Sequence, residues 1–207
     1  MYKIVVVNLL TLLMLFSVGI GFSFKSAHAH FNETEQKPGV WLSPPKTMSS
    51  QVSFETTQDT IKTSDTIFSG RWSLVYVGYS RCASTCPVDM AKIQNFYKKN
   101  QQALQDIPFY FITADNKHDN PTELKKYVQN FNATFHGLIP SEADHKPLLE
   151  WFESPFRSME KNAEILHSSN LYLIDPWLNW RKFYSMPIDQ KEILTDLKTL
   201  QASIRVN

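Results

Sequence analysis

Trp72-Ser73-Leu74-Val75-Tyr76-Val77-Gly78-Tyr79-Ser80-Arg81-Cys82-Ala83-Ser84-Thr85-Cys86-Pro87 opens as an apolar run and closes on two cysteines and a proline. Its β-branched and aromatic first half reads as a buried strand. Gly78 loosens the end of that strand. Pro87 lacks an N–H and has a fixed φ, which suits the first position of a helix. Cys82 and Cys86 are the only cysteines in the 207 residues, so both lie in one tight loop between a strand and a helix N-terminus. Such a terminus carries partial positive charge and unpaired N–H groups, which favour thiolate over thiol. Thiolates attack disulfides and bind soft metals, and this stretch alone leaves both chemistries open.

Downstream of the loop, Met90, Ile93, Phe96, Tyr97 and Leu104 recur at helical spacing, so Val88 to Leu104 reads as a helix with one buried face. Pro108 to Ala114 reads as a second buried strand. Pro121-Thr122-Glu123 opens another helix with Asn120 as its N-cap and an apolar stripe of Leu124, Tyr127, Val128 and Phe131. A short strand over Thr134 to Ile139, a helix over Ala143 to Phe152 and a polar loop over Ser154 to Ile165 follow. Asn170 to Asp175 is a third apolar strand, paired in a hairpin with Trp180 to Tyr184. Gln190 to Ile204 closes the chain as a helix burying Ile193, Leu194, Leu197, Leu200 and Ile204. Alternating strands and helices make a single α/β sandwich. The first two long strands are parallel through their crossover, and the terminal hairpin adds antiparallel ones.

Upstream, Gln51 to Phe68 is rich in threonine and reads as a short hairpin or edge strands. Residues 31–50 are polar, with Pro38, Gly39, Pro44 and Pro45, and read as a linker to a domain over residues 51–207. Residues 1–30 read as a targeting segment. Lys3 precedes an apolar run from Ile4 to Phe24 that is long enough to span a bilayer, whereas Ala27-His28-Ala29 has the form of a signal-peptidase site. The segment is therefore a cleaved signal peptide or an uncleaved membrane anchor. Either way the domain is expected to be exported, periplasmic or held at the inner membrane facing the periplasm, where a disulfide can persist.

Charge is balanced at 21 basic against 20 acidic residues, and no basic stripe argues for nucleic acid. Fourteen Phe, eight Tyr and five Trp argue for a packed globular domain.

A structural disulfide is the bland reading of two cysteines in an exported chain. It fits poorly here, because bridging residues four apart closes a very small loop and removes little unfolded-state entropy. Cys-x-x-x-Cys lets two sulfurs turn toward one point and leaves room for a third ligand. Two thiolates with an imidazole suit copper, whereas a closed structural zinc site calls for a fourth protein ligand. The histidines on offer are His28, His30, His118, His136, His145 and His167. His28 and His30 lie at the expected cleavage point, His118 in a surface turn, His145 at a helix start and His136 in a strand. His167 ends a polar loop just before an apolar strand, at the sheet rim where sites gather.

In their order, these motifs resemble the SCO/SenC family, thioredoxin-like copper proteins of cytochrome c oxidase assembly. Gly70 to Pro87 resembles that family's strand and Cys-x-x-x-Cys-Pro loop. Phe111-Ile112-Thr113-Ala114-Asp115 followed by Asp119-Asn120-Pro121 looks like its strand ending in Asp-Pro-x-x-Asp-Thr-Pro. Leu166-His167-Ser168, an apolar strand and Asp175-Pro176 look like its Asp-His-Ser/Thr element. The departures are Ala83 for the usual Pro, Arg81 for a frequent His, Asn116 for Pro and Leu166 for Asp. Trp177-Leu178-Asn179-Trp180 also stands where a Gly is expected. A packed turn is the simpler reading of that aromatic stretch, and a docking surface the alternative.

The resemblance implies a thioredoxin-like sandwich, a mixed central sheet flanked by helices. It implies copper, as Cu(I) or Cu(II), on Cys82, Cys86 and His167. It further implies a metallochaperone rather than an enzyme, one that hands copper to the copper A site of cytochrome c oxidase or to another cuproprotein. A copper donor or a thiol reductase would be its other partners. The alternatives are a thiol–disulfide reductase cycling Cys82 and Cys86, and a redox or copper sensor. A peroxidase is disfavoured, because fold alone does not assign chemistry. His167 separates the first two readings, since simple disulfide exchange has no need of it.

Overall fold

The computed structural model describes residues 37–154, 157–159, 164–166 and 168–204. The expected targeting segment and His167 lie outside the described residues. Ten strands run in chain order: β1 (Val40–Thr47), β2 (Ser53–Thr56), β3 (Ile61–Thr63), β4 (Ser73–Gly78), β5 (Phe109–Thr113), β6 (His136–Pro140), β7 (Arg157–Met159), β8 (Glu164–Leu166), β9 (Asn170–Ile174) and β10 (Asn179–Ser185). Six described helices lie between and after them: α1 (Ser64–Phe68), α2 (Thr85–Lys99), α3 (Gln101–Leu104), α4 (Pro121–Phe131), α5 (Glu142–Trp151) and α6 (Gln190–Ile204). Eight strands form one sheet in the order β1-β10-β9-β4-β5-β6-β2-β3, and β7 pairs with β8 apart from it.

β4, β5 and β6 are parallel to one another, and β9 runs antiparallel to β4. Every residue of β4 and β5 is buried, as expected of central strands covered on both faces. Leu74, Val75, Tyr76, Val77, Phe111 and Ile112 form the centre of the core. α2 adds Met90, Ile93, Phe96 and Tyr97, α4 adds Leu124 and Val128, and α6 adds Ile193 and Leu197. β10 instead alternates buried and half-buried residues, the pattern of a strand near an edge with one wet face.

The residues read as a hairpin after Gln51 are β2 and β3, paired antiparallel, with β2 also added to β6. The expected polar loop after Ser154 contains the small hairpin of β7 and β8. Residues 40–47, expected within a linker, form β1 along β10. Pro44 and Pro45 sit where the β1 register shifts, and an edge strand accommodates them because its outer N–H groups have no partner strand. A buried charge fixes this edge. Lys182 is 2 % exposed, and its Nζ lies 2.8 Å from Glu192 Oε1 and 2.7 Å from Asp196 Oδ2 on α6. The Gly39 N–H donates to the Glu192 carboxylate. A Cβ at Gly39 would stand 2.5 Å from Lys182 Cε, so only glycine allows that approach.

The Trp177 turn is divided. Trp177 is 63 % exposed, while Leu178 and Trp180 are buried. Buried Asp175 organises the turn by accepting from the N–H groups of Trp177 and Asn179 at 2.9 and 2.8 Å.

Candidate metal centre

β4 ends at Gly78, and the chain crosses to α2 through Tyr79–Ser84 with both cysteines in place. The N–H of Cys82 donates to the Tyr79 carbonyl at 3.2 Å, which closes a turn. α2 begins at Thr85, so Pro87 is its third residue rather than its first. That position is equally harmless, because the first four N–H groups of a helix have no partner within it. Ser84 gives α2 no side-chain cap. The Cys82 sulfur takes that role, accepting from the Cys86 N–H at 3.4 Å.

The two cysteines are not bridged to each other and sit in unlike surroundings. Cys82 is 7 % exposed and Cys86 fully buried. Burial acts to raise the Cys82 thiol, but the backbone N–H groups of Cys86, Ser84 and Thr85, with the Cys86 side chain, outweigh it and bring it below its ordinary value. Burial pushes the Cys86 thiol far up. A backbone hydrogen bond from Tyr79 opposes the rise, and charge on Cys82 adds to it. The pair thus joins one sulfur whose thiolate is favoured by its surroundings to one whose thiol is favoured.

Beneath Cys86 lies a polar group inside the core. The Tyr76 hydroxyl donates to Asp89 Oδ2 at 3.0 Å and also reaches the Cys86 side chain. Asp89 is buried, with Lys92 Nζ 3.8 Å from its other oxygen. Burial drives the Tyr76 phenol far above its usual range, so it serves as a fixed hydroxyl donor. A Cβ at Gly78 would stand 3.0 Å from Cys86 Sγ and 2.9 Å from both Phe111 Cζ and Tyr76 Cε1, so the missing side chain makes the sulfur's room.

The outer wall comes from the loop after β5. Asp119 accepts from the Ser80 N–H at 3.1 Å, and from the hydroxyls of Ser80 and Thr113. Arg81, which departs from the family pattern, pairs with Asp115 at 2.7 Å, and Asp115 also holds His118 Nδ1 at 2.7 Å. His118 is therefore engaged with a carboxylate, and His136 lies 3.2 Å from the Gln58 amide near the other end of the sheet. His145 bonds the backbone of Ala114.

Among the described residues no group of three or more His, Cys, Asp or Glu side chains is arranged to hold a metal ion. The two sulfurs suit a soft metal but need a further donor from elsewhere. The register of β9 on β4 sets Leu171 opposite Tyr76. The segment entering β9 thus emerges at the cysteine end of the sheet, and Ser168 in it donates its N–H to Ser154 Oγ.

Sequence spacing alone missed Tyr76 and Asp89. The signals were present, since Tyr76 shares a strand face with Gly78, and Asp89 follows Cys86 at i+3 on the buried face of α2.

A family model described as SCO1/SenC matches residues 44–202. The SCO2-like protein of Rickettsia prowazekii is 35 % identical over 130 residues, which are 60 % of this chain and 63 % of that protein. Protein sco1 of Schizosaccharomyces pombe is 30 % identical over 122 residues, 56 % of this chain and 46 % of that one. The chain thus spans less than two thirds of the length of these relatives. Among solved structures, a SCO1/SenC family lipoprotein from Bacillus anthracis superposes with a TM-score of 0.66 at 20 % identity, covering 77 % of this chain and 99 % of that one. The copper-bound ScoI of Arabidopsis thaliana gives 0.63 at 21 %, covering 76 % and 97 %. The sandwich is the thioredoxin-like fold of those structures. With the family model matching well over half of its residues, the chain belongs to the SCO1/SenC family.

Proposed function

We propose that this protein is an exported copper carrier for the assembly of a cuproenzyme, with the copper A site of cytochrome c oxidase as its recipient. Cys82 and Cys86 are its thiolate ligands and His167 its third. The observation that carries the reading is the unbridged cysteine pair at the N-terminus of α2, one favoured as thiolate by backbone N–H groups. Soft sulfur holds Cu(I), and an imidazole helps the same site accept Cu(II). Membership of a family with a copper-bound relative of like fold supports copper over zinc. The entry of β9 at the cysteine end supports His167, three residues before Asn170. Residues 1–30 serve as signal or anchor in this reading. No described helix is long and apolar enough to cross a membrane.

The test is copper stoichiometry of the reduced protein beside His167→Ala. One copper per chain, with affinity clearly lost in the variant, is the expected result. A protein that retains no copper overturns the proposal.

The unequal cysteines favour a second reading as a thiol–disulfide reductase. Cys82 thiolate attacks a partner disulfide and releases one partner thiolate. Cys86 then attacks the mixed disulfide, so the partner leaves as a dithiol and Cys82–Cys86 is oxidised by two electrons. His167→Ala leaves this activity intact, which separates the readings.

A further inference from the structure

Tyr127 lies in the middle of α4, with its ring against Phe111 of β5. Gln94 of α2 donates to the Phe131 carbonyl at the end of α4, which fixes the two helices together. The Tyr127 ring packs edge-on against Phe111 at 5.4 Å between centroids and against Phe131 at the same distance. Phe111 is also the ring that, with Cys86 Sγ, closes around Gly78. The Tyr127 hydroxyl is thereby carried to the cysteine end of the core. It is fully buried, yet it has no hydrogen-bond partner among the described residues. A buried hydroxyl is ordinarily paired, and one left open beside a site points to a partner that arrives with the ligand.

We propose that Tyr127 is a further positioning residue of this centre, whose hydroxyl donates a hydrogen bond to the Cys82–Cys86 sulfurs once they hold metal as thiolates. This rests on the copper-carrier reading above. Burial is the main reason its phenol is held above the usual range, and charge on Cys86 and then Cys82 acts on it more strongly than Asp119 or Asp89. Both sulfurs are thus close enough to act on the hydroxyl electrostatically. Hydrogen bonds to ligating sulfur are a recognised means of tuning a metal centre, and they draw electron density from the sulfur. The donor would stabilise Cu(I) over Cu(II) and the thiolate over the disulfide.

The experiment compares wild type with Tyr127→Phe in the full chain, loaded with Cu(I) and with Cu(II). Removal of the hydroxyl is expected to move the sulfur-to-Cu(II) charge-transfer band to lower energy and to weaken Cu(I) binding about tenfold, with the urea midpoint unchanged or raised. The metal-free chain is equilibrated in parallel with glutathione buffers, where the variant is expected to favour the disulfide several-fold more than wild type. An unchanged band and unchanged glutathione equilibrium overturn the proposal. So does a variant whose only change is a lower urea midpoint, since that makes the role of the hydroxyl purely structural. If wild type retains no copper, the copper-carrier reading fails, and the glutathione arm still decides whether Tyr127 acts on the sulfurs.

Discussion

The Asp119 carboxylate holds Ser80, two residues ahead of Cys82, by accepting from both its N–H and its hydroxyl. Thr113 at the end of β5 donates to the same carboxylate, so a single side chain ties the cysteine loop to the neighbouring strand. Asp119→Ala removes the acceptor of three donors. The expected loss is roughly 1.5–3 kcal/mol, the range for a hydrogen bond to a charged group, read as a lower urea midpoint. Copper should also leave the variant faster although both cysteines remain.

The unlike settings of Cys82 and Cys86 predict unlike reactivity. In metal-free reduced protein at pH 7, iodoacetamide should modify Cys82 about tenfold or more faster than Cys86, because thiolate is the reactive species and Cys86 is sealed in the core. Peptide mapping against time measures this directly. Equal rates would remove the asymmetry on which the reductase reading stands.

Gly78 supplies the space in which Cys86 Sγ sits. Gly78→Ala brings a methyl within 3.0 Å of that sulfur and 2.9 Å of two rings. Overpacking of this kind costs about 1–3 kcal/mol. The stability loss should be accompanied by weaker copper retention, since the sulfur has to move; normal retention would mean that the loop adjusts freely.

Two half-buried histidines set a pH dependence, His136 at the far end of the sheet and His145 behind the outer wall of the centre. Burial lowers His136, helped by the charge of Lys62, and burial lowers His145 against its bond to Ala114. Each binds its proton more weakly when folded than when unfolded. Their contribution is therefore complete above the unfolded value of about 6.5 and is lost as pH falls through the lower folded values. Urea midpoints should drop from pH 7.5 to pH 5.5, and a His136→Gln, His145→Gln variant should flatten that slope.

Lys182 predicts the largest stability effect at a distance from the cysteines. Lys182→Ala leaves Glu192 and Asp196 without their cation. A loss of roughly 3 kcal/mol is expected, the low end for a broken buried pair because both carboxylates keep some water. Cys82 alkylation should stay unchanged.

The parts of the fold that were legible in the sequence are those whose periodicity is strong. The buried run before Gly78, the α4 start at Asn120, whose side chain accepts from the Glu123 N–H at 3.0 Å, and the span of α6 all follow from local pattern. β1 was hidden by Pro44 and Pro45, which read as linker chemistry. Its tie to the rest of the molecule, the Gly39 N–H on the Glu192 carboxylate that also holds Lys182, reaches across 153 residues. At the centre the two cysteines could be read from spacing and placement. The Asp119–Ser80 tie and the Tyr76–Asp89 pair could not, because each joins residues that only the packed sheet and helices bring together.

The Gly39–Glu192–Lys182 knot also has a mechanical consequence. Tension arriving along the chain from before Gly39 meets a hydrogen-bonded and ion-paired anchorage on α6 before it can peel β1 from β10. The sheet edge is strain-relieved at its first residue, like a cable clamped where it enters its housing.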